Sequence, residues 1–429
     1  MDYTLAVWLL FLLFIAAGVI NVPIAYALCF TSIVFVYMTD LVNQEMLIQT
    51  IFATTDNFPL LAVPFFIIAG ELMSTGGIAK RLVDFAKMFV GGMPGGMGAI
   101  AILACMIFAA ISGSGTATAA AIGGICIPIM IENKYNRNHS ASIVACAGAL
   151  GPIIPPSIFF VLYGVIANTS ISKLFIAGVI PGLLIVLFLL ITNFFLCKRE
   201  GYPILDKKYS AKEKLQSVKD AFWALMAPIV VLGGIYGGFF TPTEAAVVSV
   251  VYSAIISVFV YREIGIGDIP AIFIRASLTA ATILIILGPA AFFGKLLAVA
   301  QVPQMLSQWL TNITSSAILF IVLVNLLLLI AGMLIEGVAA LTILTPLLIP
   351  IAAAYKIDPI HFGVMICVNL SLGLFTPPFG LNLFIASRIA ETDFSKTLGF
   401  LLPQLVATFL ALAVIIVFPK ISTWLPSFY

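Results

Sequence analysis

The chain has 429 residues, of which 62% are hydrophobic and 9% charged, with a mean hydropathy of +1.20 and a net charge of +2. Soluble domains are nearer half apolar and about a quarter charged, so a soluble globular protein is excluded. The small net charge says little about partners, and no nucleic-acid partner is expected.

Apolar windows of about 17 to 25 residues recur from end to end, each long enough to cross a hydrocarbon core of roughly 30 Å. The fold class this predicts is an all-α polytopic membrane protein. The first window (Tyr3 to Ala17) has no basic leader and runs straight into another apolar segment, so it reads as a retained span. Residues 74–92 carry Lys80, Arg81 and Lys87 along one face, the pattern of an amphipathic arm lying on the membrane surface. Residues 98–131 form one apolar block between two short stretches assigned to the cytoplasmic side, so the block must enter and return. Half of it, about 14 residues, reaches about 21 Å as helix, past the midplane but not across. This predicts a re-entrant hairpin with its tip at Ser112-Gly113-Ser114-Gly115-Thr116. The loop Glu132 to His139 holds Lys134 and Arg137 and reads as cytoplasmic, with His139 at the surface. Residues 141–168 cross outward and 174–197 cross back. Residues 198–220 carry seven of the 20 basic residues, among them Lys207 and Lys208, which the positive-inside rule places in the cytoplasm. In the second half, 298–316 has no Lys or Arg and lands outside, 317–352 is a second hairpin with its tip at Leu334 to Val338, and 362–388 is a second crossing. Both termini then lie on the periplasmic side. Trp8, Trp223, Trp309 and Trp424 fall near span ends and read as interfacial anchors.

The halves repeat. At an offset of 222, Gly115, Pro128, Gly151, Pro155, Pro156 and Pro181 fall on Gly337, Pro350, Gly373, Pro377, Pro378 and Pro403; with 33 Gly and 23 Pro in 429 residues, chance gives fewer than one such match over that stretch. A slightly different offset pairs "GELM" (Gly70 to Met73) with "GKLL" (Gly294 to Leu297). Equivalent segments fall on opposite sides, which predicts two inverted repeats, 1–197 and 221–429, joined by the linker 198–220.

Each repeat also breaks its crossing: "GPIIPPS" (Gly151 to Ser157) and "GLFTPPF" (Gly373 to Phe379) fall mid-span. Adjacent prolines remove backbone donors and clash with the preceding turn, so the helix unwinds there. Irregular backbone at membrane depth is tolerated only where it lines a cavity or is buried in protein. Half-helix ends leave carbonyls and N–H groups free for cations and anions. Carbonyls together with the hydroxyls of Ser112 and Ser114 are hard oxygen ligands suited to sodium. A tip plus a loop in each repeat predicts two cation sites around one midplane cavity.

These residues resemble a known family. "PFFIIAGELM" (Pro64 to Met73), "SGSGTATAAAIGG" (Ser112 to Gly124), "GPIIPPS" and "FTPTEAAVVSVVY" (Phe240 to Tyr252) look like the large membrane subunit of tripartite ATP-independent periplasmic (TRAP) transporters, over essentially the whole chain. The hairpins and Pro-Pro loops look more distantly like the divalent anion/sodium symporters. The resemblance implies an elevator-type, sodium-driven importer of an organic acid, such as a C4-dicarboxylate or sialic acid, in a bacterial inner membrane. It implies a periplasmic substrate-binding protein and a small membrane subunit of about four helices. Only Met1 and Asp2 precede the first span, so that subunit is expected as a separate chain. No cofactor is implied beyond sodium as coupling ion. Carried over by position, the sodium candidates are Ser112, Gly113, Ser114, Gly115, Gly151 and Pro152, with Glu336, Gly337, Gly373 and Thr376 in the second repeat. The substrate candidates are Ser114, Thr116, Pro155, Pro156, Glu336, Pro377, Asn382 and Arg388. Two positions depart from the family pattern: Gly115 stands where another serine is common, and Glu336 stands opposite Ser114. An ionised Glu336 suits a cation; a protonated one suits a hydrogen bond to substrate.

The remaining charges have plain alternatives. Arg388 could clamp a carboxylate or snorkel to the interface. Glu71 and Lys295 fall near aligned positions at span ends and suit interfacial or pairing roles. Glu244 suits the first turn of a helix capped by Thr241 or Thr243. The two histidines, His139 and His361, have no metal-ligand spacing, the six cysteines form no C-x-x-C pair, and no phosphate-cradling loop appears. No transition metal and no enzyme activity is expected. The alternative reading is a channel-like or stand-alone carboxylate carrier without sodium coupling; pores usually show a repeated filter or a ring of like charges from several subunits, whereas here two inverted hairpins meet in one chain, and an intramembrane enzyme would need a nucleophile–base pair, which is not evident.

Overall fold

A computed structural model describes residues 3–39, 41–43, 45–90, 92–204, 210–313 and 316–429. Lys207 and Lys208 of the linker, and parts of the expected segments 74–92 and 298–316, lie outside the described residues. Every regular element described is helical. Nine helices among the described residues are long and apolar enough to span a membrane, and several shorter apolar ones accompany them. The chain is a multi-pass membrane protein.

In chain order the helices are α1 (Tyr3–Val19), α2 (Ile24–Thr39), α3 (Glu45–Thr55), α4 (Ala62–Thr75), α5 (Ile78–Val90), α6 (Gly96–Ser112), α7 (Gly115–Glu132), α8 (Arg137–Gly148), α9 (Ile158–Ile166) and α10 (Ile171–Glu200). After the linker come α11 (Ala211–Tyr236), α12 (Pro242–Ile255), α13 (Ile269–Val299), α14 (Val302–Ile313), α15 (Ala317–Leu334), α16 (Gly337–Ala354), α17 (Pro359–Gly373), α18 (Leu381–Ile389), α19 (Phe394–Val417) and α20 (Lys420–Thr423). α7 and α16 begin 222 residues apart, as do α8 and α17; α9 and α18 begin 223 apart.

The boundaries have local causes. α12 starts on a capping box in which Thr241 and Glu244 bond each other's backbone N–H, with Pro242 at the first helical position. α11 opens the same way with Ser210 and Glu213. Asp358 caps α17 by accepting from Ile360 and His361 N–H, with Pro359 following. The amphipathic α5 buries Ile78, Ala79, Leu82, Val83 and Ala86 and sets Arg81 outward over the Tyr261 ring, 3.8 Å from its centroid, beside Glu263 at 3.3 Å. α8 begins at Arg137 because Asn136 caps it, accepting from Asn138 N–H. His139 is therefore not a surface-loop residue. It is fully buried, its Nδ1 is 3.2 Å from the Tyr202 hydroxyl, and its ring stacks on Phe400.

The helices interlock across the two halves. α9 packs on α16 and α17, whereas α18 packs on α7 and α8. α13 runs alongside them, touching α2, α3, α4 and α16. One large apolar core holds the hairpin and broken-helix segments, and a smaller one joins α1 and α2 to α13.

Candidate functional site

The break between α6 and α7 spans only two residues. Gly113 closes α6 at φ 62°, a left-handed conformation that glycine adopts without Cβ strain, and its N–H bonds Ala109 O. Ser114 then turns the chain and caps α7, its Oγ accepting from Ala117 N–H. Three oxygens gather here. Ser112 Oγ and Thr118 Oγ1 are 2.9 Å apart, Thr118 Oγ1 donates to Ser114 O at 2.7 Å, and Ser112 Oγ lies 3.5 Å from Ser114 O. Thr118 was not singled out from sequence, because a mid-helix threonine usually satisfies itself on the preceding turn.

The loop between α8 and α9 presses on this tip. A methyl at Gly151 would fall 2.3 Å from Ser114 O, and one at Gly113 would fall 2.8 Å from Pro156 O. Gly115 has Pro152 beside it and Leu374 of the other half above it. Ser157 caps α9 while its hydroxyl donates to Pro152 O, which ties the loop to itself. Pro155 and Pro156 are buried in that loop rather than at the cavity surface.

The second break is built differently. Leu334 ends α15 and Glu336 caps α16, its Oε2 accepting from Ala339 N–H at 3.1 Å. Leu334 and Ala340 stand where the first tip has Ser112 and Thr118, so the hydroxyl cluster is replaced by one carboxylate. Gly337 abuts Phe159 of α9. Gly373 packs against Gly332, one turn before the tip, and Thr376 Oγ1 donates back to Leu372 O. Thr376 and Gly373 are buried. Asn382 is buried and donates to Ala145 O, and its Oδ1 has no partner among the described residues.

Both tips open onto one cavity of about 470 Å³. Ser112 to Ala117 and Glu336 with Val338 face it from the two halves; Pro152, Phe159, Leu374 and Leu381 close it. The opposite wall is α13, through Thr279, Thr282, Ile283 and Ile286, together with Gly70 and Glu71 of α4. Glu71 pairs with Arg275 Nε at 2.8 Å. Of the substrate candidates, Ser114, Thr116 and Glu336 line this cavity, whereas Pro155, Pro156, Pro377, Asn382 and Arg388 do not. Arg388 lines a separate shallow depression with Glu391 and Lys396. Thr279 and Thr282 were missed from sequence; their only signal is a pair of hydroxyls three residues apart in an apolar span.

This arrangement, two helix N-termini opening onto one cavity inside a polytopic bundle, is that of a membrane-transporter fold. The fold is shared with the crystal structure of the Alcanivorax borkumensis YdaH transporter, at a TM-score of 0.64 over 96% of this chain and 97% of that one, with 14% identity. Residues 10–421 match the family described as tripartite ATP-independent periplasmic transporter, DctM component, and the chain belongs to that family. It is 39% identical to the sialic acid TRAP transporter large permease protein SiaM of Vibrio cholerae, covering 95% of this chain and 96% of that one. It is 42% identical to the C4-dicarboxylate large permease protein DctM of Pseudomonas aeruginosa, over 88% of each. It is also 42% identical to the isethionate permease protein DctMQ of Oleidesulfovibrio alaskensis over 96% of this chain, which spans 65% of that longer protein.

Proposed function

We propose that the chain is the transport subunit of a sodium-coupled importer that moves a small organic acid across a bacterial inner membrane. The single observation that carries this reading is the meeting of the Ser114 and Glu336 caps at one cavity. The Ser112–Ser114–Thr118 oxygens, with Gly113, Gly115, Gly151 and Pro152 shaping them, form one sodium site. Glu336 with Gly337, Gly373 and Thr376 forms the other, with the carboxylate supplying charge in place of hydroxyls. The acid occupies the cavity between them, its carboxylate facing the N-termini of α7 and α16, where backbone N–H groups favour an anion. Relatives named for sialic acid, C4-dicarboxylates and isethionate support an organic acid as the class.

In this reading the two halves are inverted repeats, each with a re-entrant hairpin and a broken helix. The linker faces the cytoplasm and both termini the periplasm. A periplasmic binding protein delivers the acid, a small four-helix membrane subunit completes the frame, and the hairpins move as an elevator against α4 and α13. The alternative is a channel-like pathway or a carboxylate carrier without sodium coupling. Reconstitution with both partners separates them: initial uptake of labelled sialic acid, succinate and isethionate is followed with an inward sodium gradient and with potassium replacing it. The proposal expects saturable uptake that collapses in potassium. Uptake that rises linearly with concentration and ignores sodium would sustain the alternative.

A further inference from the structure

A second cavity, of about 690 Å³, lies farther along α13, between α3, α9 and α16. Ile67, Gly70 and Glu71 of α4 line the tip cavity; Ala291, Gly294 and Lys295, each 224 residues later, line the second. Equivalent positions of the two halves thus border two different chambers. Their charges differ in sign and in partnership. Glu71 is neutralised by Arg275 at 2.8 Å. Lys295 is exposed and has no ion-pair partner among the described residues. None of the described residues lining its chamber is acidic, and Gln49, Thr50, Thr54 and Asn57 bring amide and hydroxyl groups to the same wall. Thr50 Oγ1 is buried there without a hydrogen-bond partner among the described residues. An ammonium without a counter-ion among donors is a carboxylate receptor in all but the anion.

We infer that the Lys295 chamber is a second anion subsite, which takes the carboxylate or sulfonate of the organic acid at the end of α13 remote from the tip cavity. It rests on the proposed transport of an organic acid. α13 presents the two subsites in line: Thr279, Thr282 and Ile286 face the tip cavity, and Ala291, Lys295 and Ala298 face the second. Lys295 lies 13 residues beyond Thr282, about 20 Å along the helix at 1.5 Å per residue, and the two chambers adjoin at Ile286 and Leu287. The acid is captured by Lys295 before it reaches the half-helix caps.

The test uses the full chain with Cys29→Ser and a reporter thiol at Ala298→Cys, or at Thr54→Cys on the facing helix. Its labelling is compared with an anionic sulfonatoethyl and a cationic trimethylammonium methanethiosulfonate, and needs no transport. The anionic reagent is expected to be favoured, Lys295→Gln to lower its relative rate about tenfold, Lys295→Arg to preserve it, and succinate, sialic acid or isethionate to slow labelling in the Lys295 and Lys295→Arg proteins but not in Lys295→Gln. In uptake, Lys295→Gln raises KM and Lys295→Arg restores it. A rate ratio indifferent to Lys295→Gln, or no slowing by any of the three anions, overturns the subsite. Absence of wild-type uptake with an intact charge preference would instead refute the transport reading.

Discussion

Gly151→Ala is the sharpest probe of the contact between tip and loop. The new methyl would lie 2.3 Å from Ser114 O, 2.4 Å from its carbonyl carbon and 2.7 Å from Gly115 N. Ordinary contact begins near 3.4 Å, so the tip must withdraw by about 1 Å. All three are backbone atoms, so no side-chain rotation relieves the clash. Overpacking of this kind costs about 1–3 kcal/mol. If the Ser114 carbonyl is a sodium ligand, the same energy taken from binding weakens sodium affinity about five- to 150-fold. Gly124→Ala is the control on α7, since no described residue lies within 4 Å of its Cβ position. Equilibrium binding of radioactive sodium to purified protein reads both variants. A monodisperse Gly151→Ala protein with wild-type sodium affinity would refute the reasoning, because a moved tip would then bind as well as an unmoved one.

Ser114→Ala removes the cap on Ala117 N–H and costs about 1 kcal/mol, whereas Ser114→Gly costs only a few tenths, and both keep the Ser114 carbonyl; Ser112→Ala removes an oxygen from the cluster and is expected to lose sodium affinity where they do not, with melting curves in potassium reporting the capping loss separately. Glu336→Gln keeps an oxygen for Ala339 N–H, so the protein folds, while the missing charge lowers sodium affinity about tenfold; an unchanged sodium titration would assign Glu336 to substrate instead. Thr279→Val and Thr282→Val remove hydroxyls from the cavity wall at nearly constant volume. Each is expected to raise KM for the acid about fivefold and leave the sodium half-saturation unchanged, by uptake titrated in both.

The helical membrane class was legible from composition alone, and the breaks were legible from Gly, Ser and Pro. A helix that stops within an apolar run must say so in residues that no lipid-facing turn would use. Ser112 to Thr116 therefore pointed to a real interruption, since α6 stops at Ser112 and α7 starts at Gly115. The wall opposite the tips was not legible. Thr279 and Thr282 bond the carbonyls of Arg275 and Thr279 on their own helix, as isolated threonines in any span do. Arg388 shows another limit of reading along the chain. It sits seven residues past Leu381, a cavity residue, which is the same face of α18 but about 10 Å farther along. His139 misled for a third reason: a polar run containing Lys134 and Arg137 looks solvated, yet the Asn136 cap starts a helix that carries His139 under Tyr202 and Phe400. Pairing is equally invisible in one dimension, since Glu71 finds Arg275 from 204 positions away.

The central claim is that sodium moving down its gradient drives the acid uphill. Proteoliposomes holding the chain and its two partners would be loaded with labelled acid at equal concentrations inside and out, and a sodium gradient then imposed. Net accumulation inside, abolished by a sodium ionophore and by Ser112→Ala, is the predicted result. Acid that stays at equal concentration on both sides while sodium runs down would contradict the account.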